Sequence, residues 1–295
     1  MHSVLQARIT LQLEEEKMTK KISFQGFHGA YHEQAALEIY PDAQTIPCET
    51  FEETFKCAQD GTADLAIIAI DNTLAGRVAD VHRLLPSSGL HIIGETFLPI
   101  HHALIGLKGA TIEGLTDVHS HIHALPQCTK IIKELGLKKH VRADTAGSAK
   151  DILAMNDPSQ AAIASTLAAK IYGLEVLKEN IEDVGHNTTR FIFLSKDVHV
   201  PAYDPKKTYI TSFLFEVRNI PAALFKSLSG FATNGINMVK LESYVDEKLQ
   251  AAQFYADVFG HPEERSLQLA MEELGFFAKD VLLMGTYEAH SFRQK

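Results

Sequence analysis

The chain has 295 residues, 45% of them apolar and 22% charged, and its formal net charge at pH 7 is −9. Its length is that of about two domains, and its composition is that of a soluble globular protein. The acidic balance disfavours nucleic acid as a partner, and no apolar run approaches the ~20 residues that span a membrane. Three cysteines without a CxxC pair exclude a disulfide framework, so we expect a cytoplasmic protein.

The first part of the chain alternates between strand and helix patterns. Residues 1–20 are predicted to be an N-terminal extension, since they lack the features of a signal peptide. KISFQG (21–26) reads as a buried strand, and ADLAIIAI as a strand buried on both faces. Between them, a helix is expected to begin at Thr50, with Glu53 placed for a capping box. The alternation continues to about residue 195 and predicts an α/β sheet covered by helices.

The last third of the chain follows a different order. SKDVHVPAYDPKK (195–207) carries two prolines and several charges and is typical of a linker. The segments after it read as strand, helix, strand, strand, helix and strand. This β-α-β-β-α-β order is that of the ferredoxin-like motif.

Four stretches of the first part carry polar groups where chemistry is expected. GFHGAYHEQAA (26–36) is a glycine-rich turn at a helix N-terminus, which suits an anion or is simply a tight turn. AIDNTLAGRV (69–78) follows the buried strand, where α/β proteins bind ligands, or forms an Asx-turn. HSHIHALPQC (119–128) has three histidines at alternate positions, but one extended segment is a poor metal cage, and no metal is expected. HNTTRF (186–191) stands at the entrance of a strand.

These stretches, in order and spacing, resemble the motifs of prephenate dehydratase. They are GFHGAYHEQAA, AIDNTLAGRV, SHIHALPQC with DTAGSA (144–149), and NTTRF. The resemblance covers about residues 21–195, and the segment after it resembles the regulatory ACT domain of that family. The chain departs from the family pattern at Phe27, His32, Asp71, Ile122 and His123.

The resemblance implies an α/β protein with a two-lobed catalytic domain similar to periplasmic binding proteins, followed by a ferredoxin-like (βαββαβ) ACT domain. The expected catalytic domain is 21–198 and the ACT domain 207–295. Lobe 1 would comprise about 21–100 and 181–198, and lobe 2 about 101–180, with the active site in the cleft. This arrangement is expected to bring NTTRF next to AIDNT.

The activity implied is the conversion of prephenate to phenylpyruvate with loss of CO2 and water, which requires no cofactor. Thr189 would donate a hydrogen bond to the leaving hydroxyl, and Phe191 would help dry the pocket. Arg190 would either clamp a carboxylate or hold the loop. The substrate-binding residues implied are Asn72, Thr73, His121, Gln127, Thr145, Asn187 and Thr188.

The regulatory effector implied is L-phenylalanine, with paired ACT domains in a homodimer or homotetramer. Its implied contacts are Asn219, Ala222, Ala223, Leu224, Glu242 and Ser243, with Glu242 receiving the amino group. The chain has lost a family glycine at the first patch and an arginine after Ser243, so a dimerising domain without effector is the alternative. Arogenate dehydration and a non-catalytic two-lobed amino-acid sensor are the other functions considered.

Overall fold

The computed structural model describes residues 19–218, 220–245 and 251–294. Almost all of the expected N-terminal extension, and Asn219 of the implied effector site, lie outside the described residues. In chain order the strands are β1 (Lys21–Gln25), β2 (Gln44–Cys48), β3 (Leu65–Asn72), β4 (Gly76–Arg77), β5 (His91–Pro99), β6 (Ala103–Gly106), β7 (Asp117–His121), β8 (Lys138–Arg142), β9 (Gln160–Ala164), β10 (Glu175–Lys178), β11 (Thr188–Ser195), β12 (Tyr209–Val217), β13 (Met238–Val245), β14 (Ala251–Phe259) and β15 (Ala278–Glu288).

The helices are shorter than a bilayer span. They are α1 (Tyr31–Ile39), α2 (Phe51–Asp60), α3 (Ala79–Leu84), α4 (Thr129–Glu134), α5 (Thr145–Met155), α6 (Thr166–Tyr172), α7 (Ala223–Thr233) and α8 (Arg265–Phe277). Among the helices that the structure describes, none combines the length and apolarity needed to cross a membrane.

The ends of α2 follow from its sequence. The Thr50 hydroxyl accepts the backbone N–H of Glu53 at 3.1 Å, and the Glu53 carboxylate accepts the N–H of Glu49 at 2.8 Å. Gly61 then ends the helix in the left-handed conformation, with φ at 81°. The predicted capping residues are confirmed, because local hydrogen bonds at helix ends depend on residues only three or four positions apart.

The chain divides into two compact units. The first comprises Met1–Ala66 and His101–Asp183, and the second Ile67–Ile100 and Val184–Lys295. The expected lobes cut the chain at other places, and their boundaries stay a prediction. The first unit contains the parallel pair of β1 and β2 and a five-stranded mixed sheet of order β10-β6-β9-β7-β8. Apolar side chains of that sheet and of α4 form its core.

The second unit combines the strands that carry AIDNT and NTTRF with the C-terminal sheet. In it β3 lies beside β11, and β11 pairs with β5 in antiparallel fashion along its whole length. The C-terminal strands follow the order β13-β14-β12-β15, with α7 and α8 contributing to one core. This is the predicted ferredoxin-like motif. Residues 196–208, all described, carry neither helix nor strand, as their prolines predict.

The C-terminal sheet packs closely on the strand that neighbours β11. A Cβ atom added at Gly285 of β15 would lie 2.0 Å from the carbonyl oxygen of Ile92 in β5. Only glycine permits such an approach of two backbones. The sequence signal of this contact is therefore one glycine inside a predicted strand.

Candidate active site

Asn72, at the end of β3, is hydrogen-bonded to Thr189 of β11. Its amide nitrogen donates to the Thr189 hydroxyl at 2.8 Å and to Oδ1 of Asn187 at 2.7 Å. Its carbonyl oxygen accepts the backbone N–H groups of Leu74 and Ala75. The expected adjacency of NTTRF and AIDNT is thus confirmed. Both amide hydrogens of Asn72 are used inside the protein, so the amide orients Thr189 rather than offering a donor to substrate.

The Thr189 hydroxyl is placed to act as a donor. Because its oxygen accepts from Asn72, its own hydrogen is directed elsewhere and can be donated. The residue is 7% exposed, so the hydroxyl lies at a largely dry position. A donor held in a dry, fixed position stabilises developing negative charge much better than one in water.

The remaining polar residues of the motif fasten the two strands together. The Thr73 hydroxyl donates to the carbonyl of His186 and accepts the N–H of Thr188, both at 2.9 Å. The Thr73 N–H donates in turn to the carbonyl of Thr188. Asn187 is buried, and its carbonyl accepts the N–H of Ile100. These contacts hold the backbone on which Thr189 stands.

Arg190 is buried in a network of charges. Its Nε donates to Glu95 at 2.8 Å, and its two terminal nitrogens donate to Asp257 at 2.6 Å and to the Tyr287 hydroxyl at 2.9 Å. Burial alone would lower the pKa of Arg190, but the neighbouring Asp257 carboxylate, with Tyr287, raises it well above its usual range. The resemblance implied that Arg190 either clamps a substrate carboxylate or holds the loop. Its contacts with buried protein groups favour the second role.

Phe191 is 1% exposed and lies in the middle of the pairing between β11 and β5, opposite Thr96. A side chain so placed contributes apolar surface to the core of the second unit. That position is consistent with the expected role of keeping water from the neighbourhood of Thr189.

A cavity of about 270 Å³ lies on the face of β11 that carries Thr188 and Arg190. Successive strand residues point to opposite faces, so this cavity and the Thr189 hydroxyl are on different sides of the strand. The C-terminal sheet and the turn Ser291–Gln294 contribute to its walls. Its lining residues are Asp71, Asn72, Thr73, Phe97, Thr188, Arg190, Val239, Lys240, Phe292 and Arg293.

Gln127, in the first unit, is held by two residues that the sequence did not single out. Its side-chain oxygen lies 3.0 Å from Nε2 of His102, and Nδ1 of His102 lies 2.7 Å from the Tyr31 hydroxyl. Burial lowers the pKa of His102, so the ring is neutral and has one donor and one acceptor nitrogen. The Tyr31 hydroxyl has one hydrogen and also donates to the carbonyl of His101 at 2.9 Å, so these contacts place the His102 ring against Gln127 without fixing which ring nitrogen carries the hydrogen.

His121 and Thr145 also belong to the first unit. His121 ends β7 and is half-buried, and burial, together with His123, lowers its pKa. The chain turns after His121, so the three alternate histidines do not line one face as a fully extended segment would. Thr145 is the first residue of α5, whose cap is Asp144, with its carboxylate accepting the N–H of Gly147 at 2.7 Å. Within the described residues, no group of three or more His, Cys, Asp and Glu side chains is arranged to hold a metal.

The glycine-rich turn before α1 is occupied by the chain itself. The Glu33 carboxylate accepts the N–H of Gly29 at 2.5 Å and lies 2.7 Å from Nδ1 of His28. The Thr45 hydroxyl donates to the same carboxylate at 2.6 Å. The geometry therefore favours the tight-turn alternative over an anion site.

Two of the effector residues implied by the resemblance, Glu242 and Ser243, lie near the AIDNTLAGRV segment. Glu242 of β13 is 3.3 Å from a terminal nitrogen of Arg77, and Ser243 offers its carbonyl to the same nitrogen. Lys240 lies 2.5 Å from Asp71. At the other patch, Ala222 caps α7 in the left-handed conformation with φ at 62°, Ala223 is buried and Leu224 packs on the core of the C-terminal domain.

Sequence reasoning missed the partners of the site residues. Tyr31 and His102 behind Gln127, and Glu95 and Asp257 behind Arg190, are all distant in the chain from the residues they hold. The available signal was a charged residue inside a predicted strand, as at Glu95 and Asp257. The sequence does not indicate which residue each of them would pair with.

Fold and site together define a class, an α/β protein of the prephenate dehydratase type. The profile of the prephenate dehydratase family matches residues 22–199. A solved prephenate dehydratase from Arthrobacter aurescens, in complex with L-Phe, superposes with a TM-score of 0.84 at 28% identity, covering 93% of this chain and 91% of that one. The chain belongs to the prephenate dehydratase family, and its predicted fold class is confirmed.

Two relatives show the range of names within that family. A bifunctional N-acyl-homoserine lactone acylase/prephenate dehydratase of Komagataeibacter europaeus is 45% identical, over 93% of this chain and 98% of that protein. Arogenate dehydratase/prephenate dehydratase 1 of Arabidopsis thaliana is 36% identical, over 90% of this chain and 71% of that protein.

Proposed function

We propose that the chain converts prephenate to phenylpyruvate, CO2 and water. The observation that carries the proposal is the pair of Asn72 and Thr189, in which the amide donates to the threonine oxygen and leaves the hydroxyl hydrogen to be donated. Membership in the family supports the same reaction class, because the relatives named above are dehydratases.

The reaction needs little more than a positioned donor in a dry pocket. The electron pair of the bond to the ring carboxylate enters the ring as CO2 leaves, and the bond to the ring hydroxyl breaks. Aromatisation supplies the driving force. Thr189 donates a hydrogen bond to the departing oxygen, which a single well-placed donor makes about 10²–10³ faster. Threonine is too weak an acid to remain deprotonated, so the proton that turns hydroxide into water comes from water or from a neighbouring group.

Substrate choice divides between prephenate and its amino analogue, arogenate. The two differ at the side chain, which carries a keto group in one and an ammonium group in the other. The names of the plant relatives include both activities. We propose prephenate as the substrate, and the ratio of kcat/KM for the two compounds tests that choice.

We also propose that phenylalanine inhibits the enzyme through the C-terminal ferredoxin-like domain, acting as an ACT domain in a homodimer or homotetramer. The complex of the Arthrobacter aurescens protein with L-Phe supports this proposal. An ammonium group would bind the half-buried Glu242 carboxylate by taking the place of Arg77 or Lys240, which lie 3.3 and 3.5 Å from it. Light scattering with and without phenylalanine measures the assembly.

A second candidate activity is hydrolysis of N-acyl-homoserine lactones. It is favoured by the 45% identity to the bifunctional relative along nearly its whole length. Mass spectrometry of a reaction with such a lactone would detect the freed fatty acid and homoserine lactone. This activity is compatible with dehydration, since the relative's name combines both.

The deciding experiment is to incubate the purified chain with prephenate and follow phenylpyruvate by its absorbance in alkali. The non-enzymatic reaction in the same buffer is subtracted. Turnover well above that background is expected, and its absence at substrate concentrations in the millimolar range overturns the proposal and favours the two-lobed sensor.

A further inference from the structure

The two neighbouring residues Thr189 and Arg190 face opposite sides of β11. Thr189 lies beside Asn72, whereas Arg190 points to the face covered by the C-terminal sheet. Side chains of successive residues in a strand point to opposite faces, so neighbouring residues of β11 cannot share a face. One residue therefore reaches the reacting side of the strand while the next reaches its back.

The three hydrogen-bond partners of the Arg190 guanidinium named above are buried, and the half-buried carboxylate of Asp71 in β3 lies 3.6 Å from one of its terminal nitrogens. Two of the buried partners, Asp257 of β14 and Tyr287 of β15, belong to the ferredoxin-like domain. Asp257 also accepts a hydrogen bond from Ser212 of β12 at 2.5 Å, and Ser212 lies 3.0 Å from the Tyr287 hydroxyl. Three strands of that domain thus form one polar socket for a single side chain of β11.

The third partner extends the network to the end of the chain. Glu95 of β5 receives Arg190 and is also bound by Arg293 through two nitrogens, at 2.6 and 2.9 Å. Two guanidinium groups, those of Arg190 and Arg293, therefore share the buried carboxylate of Glu95, and Arg190 is paired with Asp257 and Asp71 as well. A substrate carboxylate at Arg190 would stand beside the carboxylates already paired with it and be repelled by them.

We infer that Arg190 is a positioning residue, through which the ferredoxin-like domain holds Thr189 in register for catalysis. The inference rests on the proposed function, because it assigns a role in that reaction. Thr189 follows any displacement of Arg190, since they share a peptide bond. A shift of about 1 Å in a reacting group can cost about 10²-fold in rate while leaving binding nearly intact.

The test is Asp257→Asn, which keeps the size of the side chain but removes its charge. Asp257 has no contact with Asn72 or Thr189 among those of the described residues. We expect kcat for prephenate to fall at least about tenfold, with KM changed less than about twofold. Tyr287→Phe removes one hydroxyl and should lower kcat less, so it serves if Asp257→Asn does not fold. Asp280→Asn, at an exposed carboxylate of the same domain, is the control and should keep wild-type kcat.

A double variant tests whether Asp257 affects kcat through Arg190. If Arg190 and Asp257 act as one unit, the double variant Arg190→Gln/Asp257→Asn should be no slower than Arg190→Gln alone. Multiplied losses would mean that the two act separately and would overturn the inference. A large rise in KM with unchanged kcat in Arg190→Gln would also overturn it, because that is the behaviour of a substrate clamp.

Hydrogen exchange gives a measurement that does not depend on turnover. The amides of residues 188–195 should exchange faster in Asp257→Asn than in the wild-type protein, while those of the first unit keep their rates. Unchanged exchange in that segment overturns the inference whatever the substrate. Wild-type protein without prephenate turnover overturns the proposed function alone.

Discussion

At the scale of the residue, the candidate site depends on which hydrogens of each polar group are donated to other groups of the protein. Asn72 donates both amide hydrogens, one to Asn187 and one to Thr189, and its oxygen accepts two backbone N–H groups. Thr189 accepts one of these hydrogens and keeps its own. An amide that is satisfied at every position is rigid, and a rigid donor loses no reorganisation energy in the transition state.

Thr189→Val is nearly isosteric and removes that donor. Turnover should fall by about two orders of magnitude or more, with a smaller change in KM, because the hydrogen bond is strongest in the transition state. Steady-state kinetics with prephenate measures both. Thr189→Ser keeps a hydroxyl and is the matched control. Near-normal turnover of the valine variant would move the donor role to Thr188 or His121.

Ala222 shows the cost of one lost glycine. It caps α7 with φ at 62° and ψ at 14°, a conformation that glycine adopts freely and alanine does not. Ala222→Gly should therefore stabilise the protein by about 0.5–1 kcal/mol, raising Tm by about 1–3 °C. Differential scanning calorimetry measures the change. Ala223→Gly, one residue further and inside the helix, should lower Tm instead, and a lower Tm for both variants would contradict the strain.

At the scale of the element, β13 packs on the segment that follows β3. His82 of α3 lies with Nδ1 2.6 Å from the Tyr244 hydroxyl, and its Nε2 is buried without a hydrogen-bond partner among the described residues. Lys240, which like Tyr244 belongs to β13, forms an ion pair with Asp71 of β3. The segment that contains Asn72 is thus held partly by a strand of the C-terminal domain.

The His82 contact should make stability depend on pH. Burial, followed by the nearby charge of Lys240, lowers the pKa of His82 to about 4, against an ordinary value of 6.5. The unfolded chain therefore binds the proton first as pH falls. The stabilisation by neutral His82 is complete above about pH 6.5 and is lost as the pH falls toward 4, about 2 kcal/mol of it between pH 7 and pH 5.

Urea unfolding of the wild type and of His82→Gln at both pH values isolates this effect. Glutamine offers an acceptor to Tyr244 but does not titrate, so its stability should fall by about 2 kcal/mol less than that of the wild type over this interval. Equal losses in the two proteins would show that His82 does not titrate on unfolding.

At the scale of the whole molecule, the strands that carry Asn72 and Thr189 and the ferredoxin-like domain belong to one compact unit. The close approach at Gly285, the socket around Arg190 and the pairing of Lys240 with Asp71 all join them. An effector that binds the C-terminal domain can change turnover only if it prefers one arrangement of these contacts over another.

Glu242→Ala tests the proposed control by phenylalanine. The variant should lose inhibition, because the ammonium group loses its carboxylate partner, while uninhibited turnover stays within about twofold of the wild type. Dose–response curves for phenylalanine measure the loss, with Glu272→Ala on the exposed side of α8 as the control. Calorimetry that detects no binding of millimolar phenylalanine to the wild-type protein would leave the domain as an assembly module.

Much of this protein could be predicted from its sequence because the relevant forces are local or periodic. The caps of α2 depend on residues a few positions apart, and the βαββαβ order follows from alternating apolar patterns. Thr189 and Asn72 were singled out because their motifs, in order and spacing, resemble those of prephenate dehydratase. In each case the information lies within one short segment or in the order of segments.

Only the tertiary structure decided what those residues touch. Arg190 meets partners 67 and 97 positions further along the chain, and it meets Glu95 at a distance of 95 positions in the other direction. His102 stands behind Gln127 in the same way, 25 positions away. Many carboxylates in the sequence have the charge to pair with Arg190, and the choice among them depends on how folded strands are brought together, which no local propensity encodes.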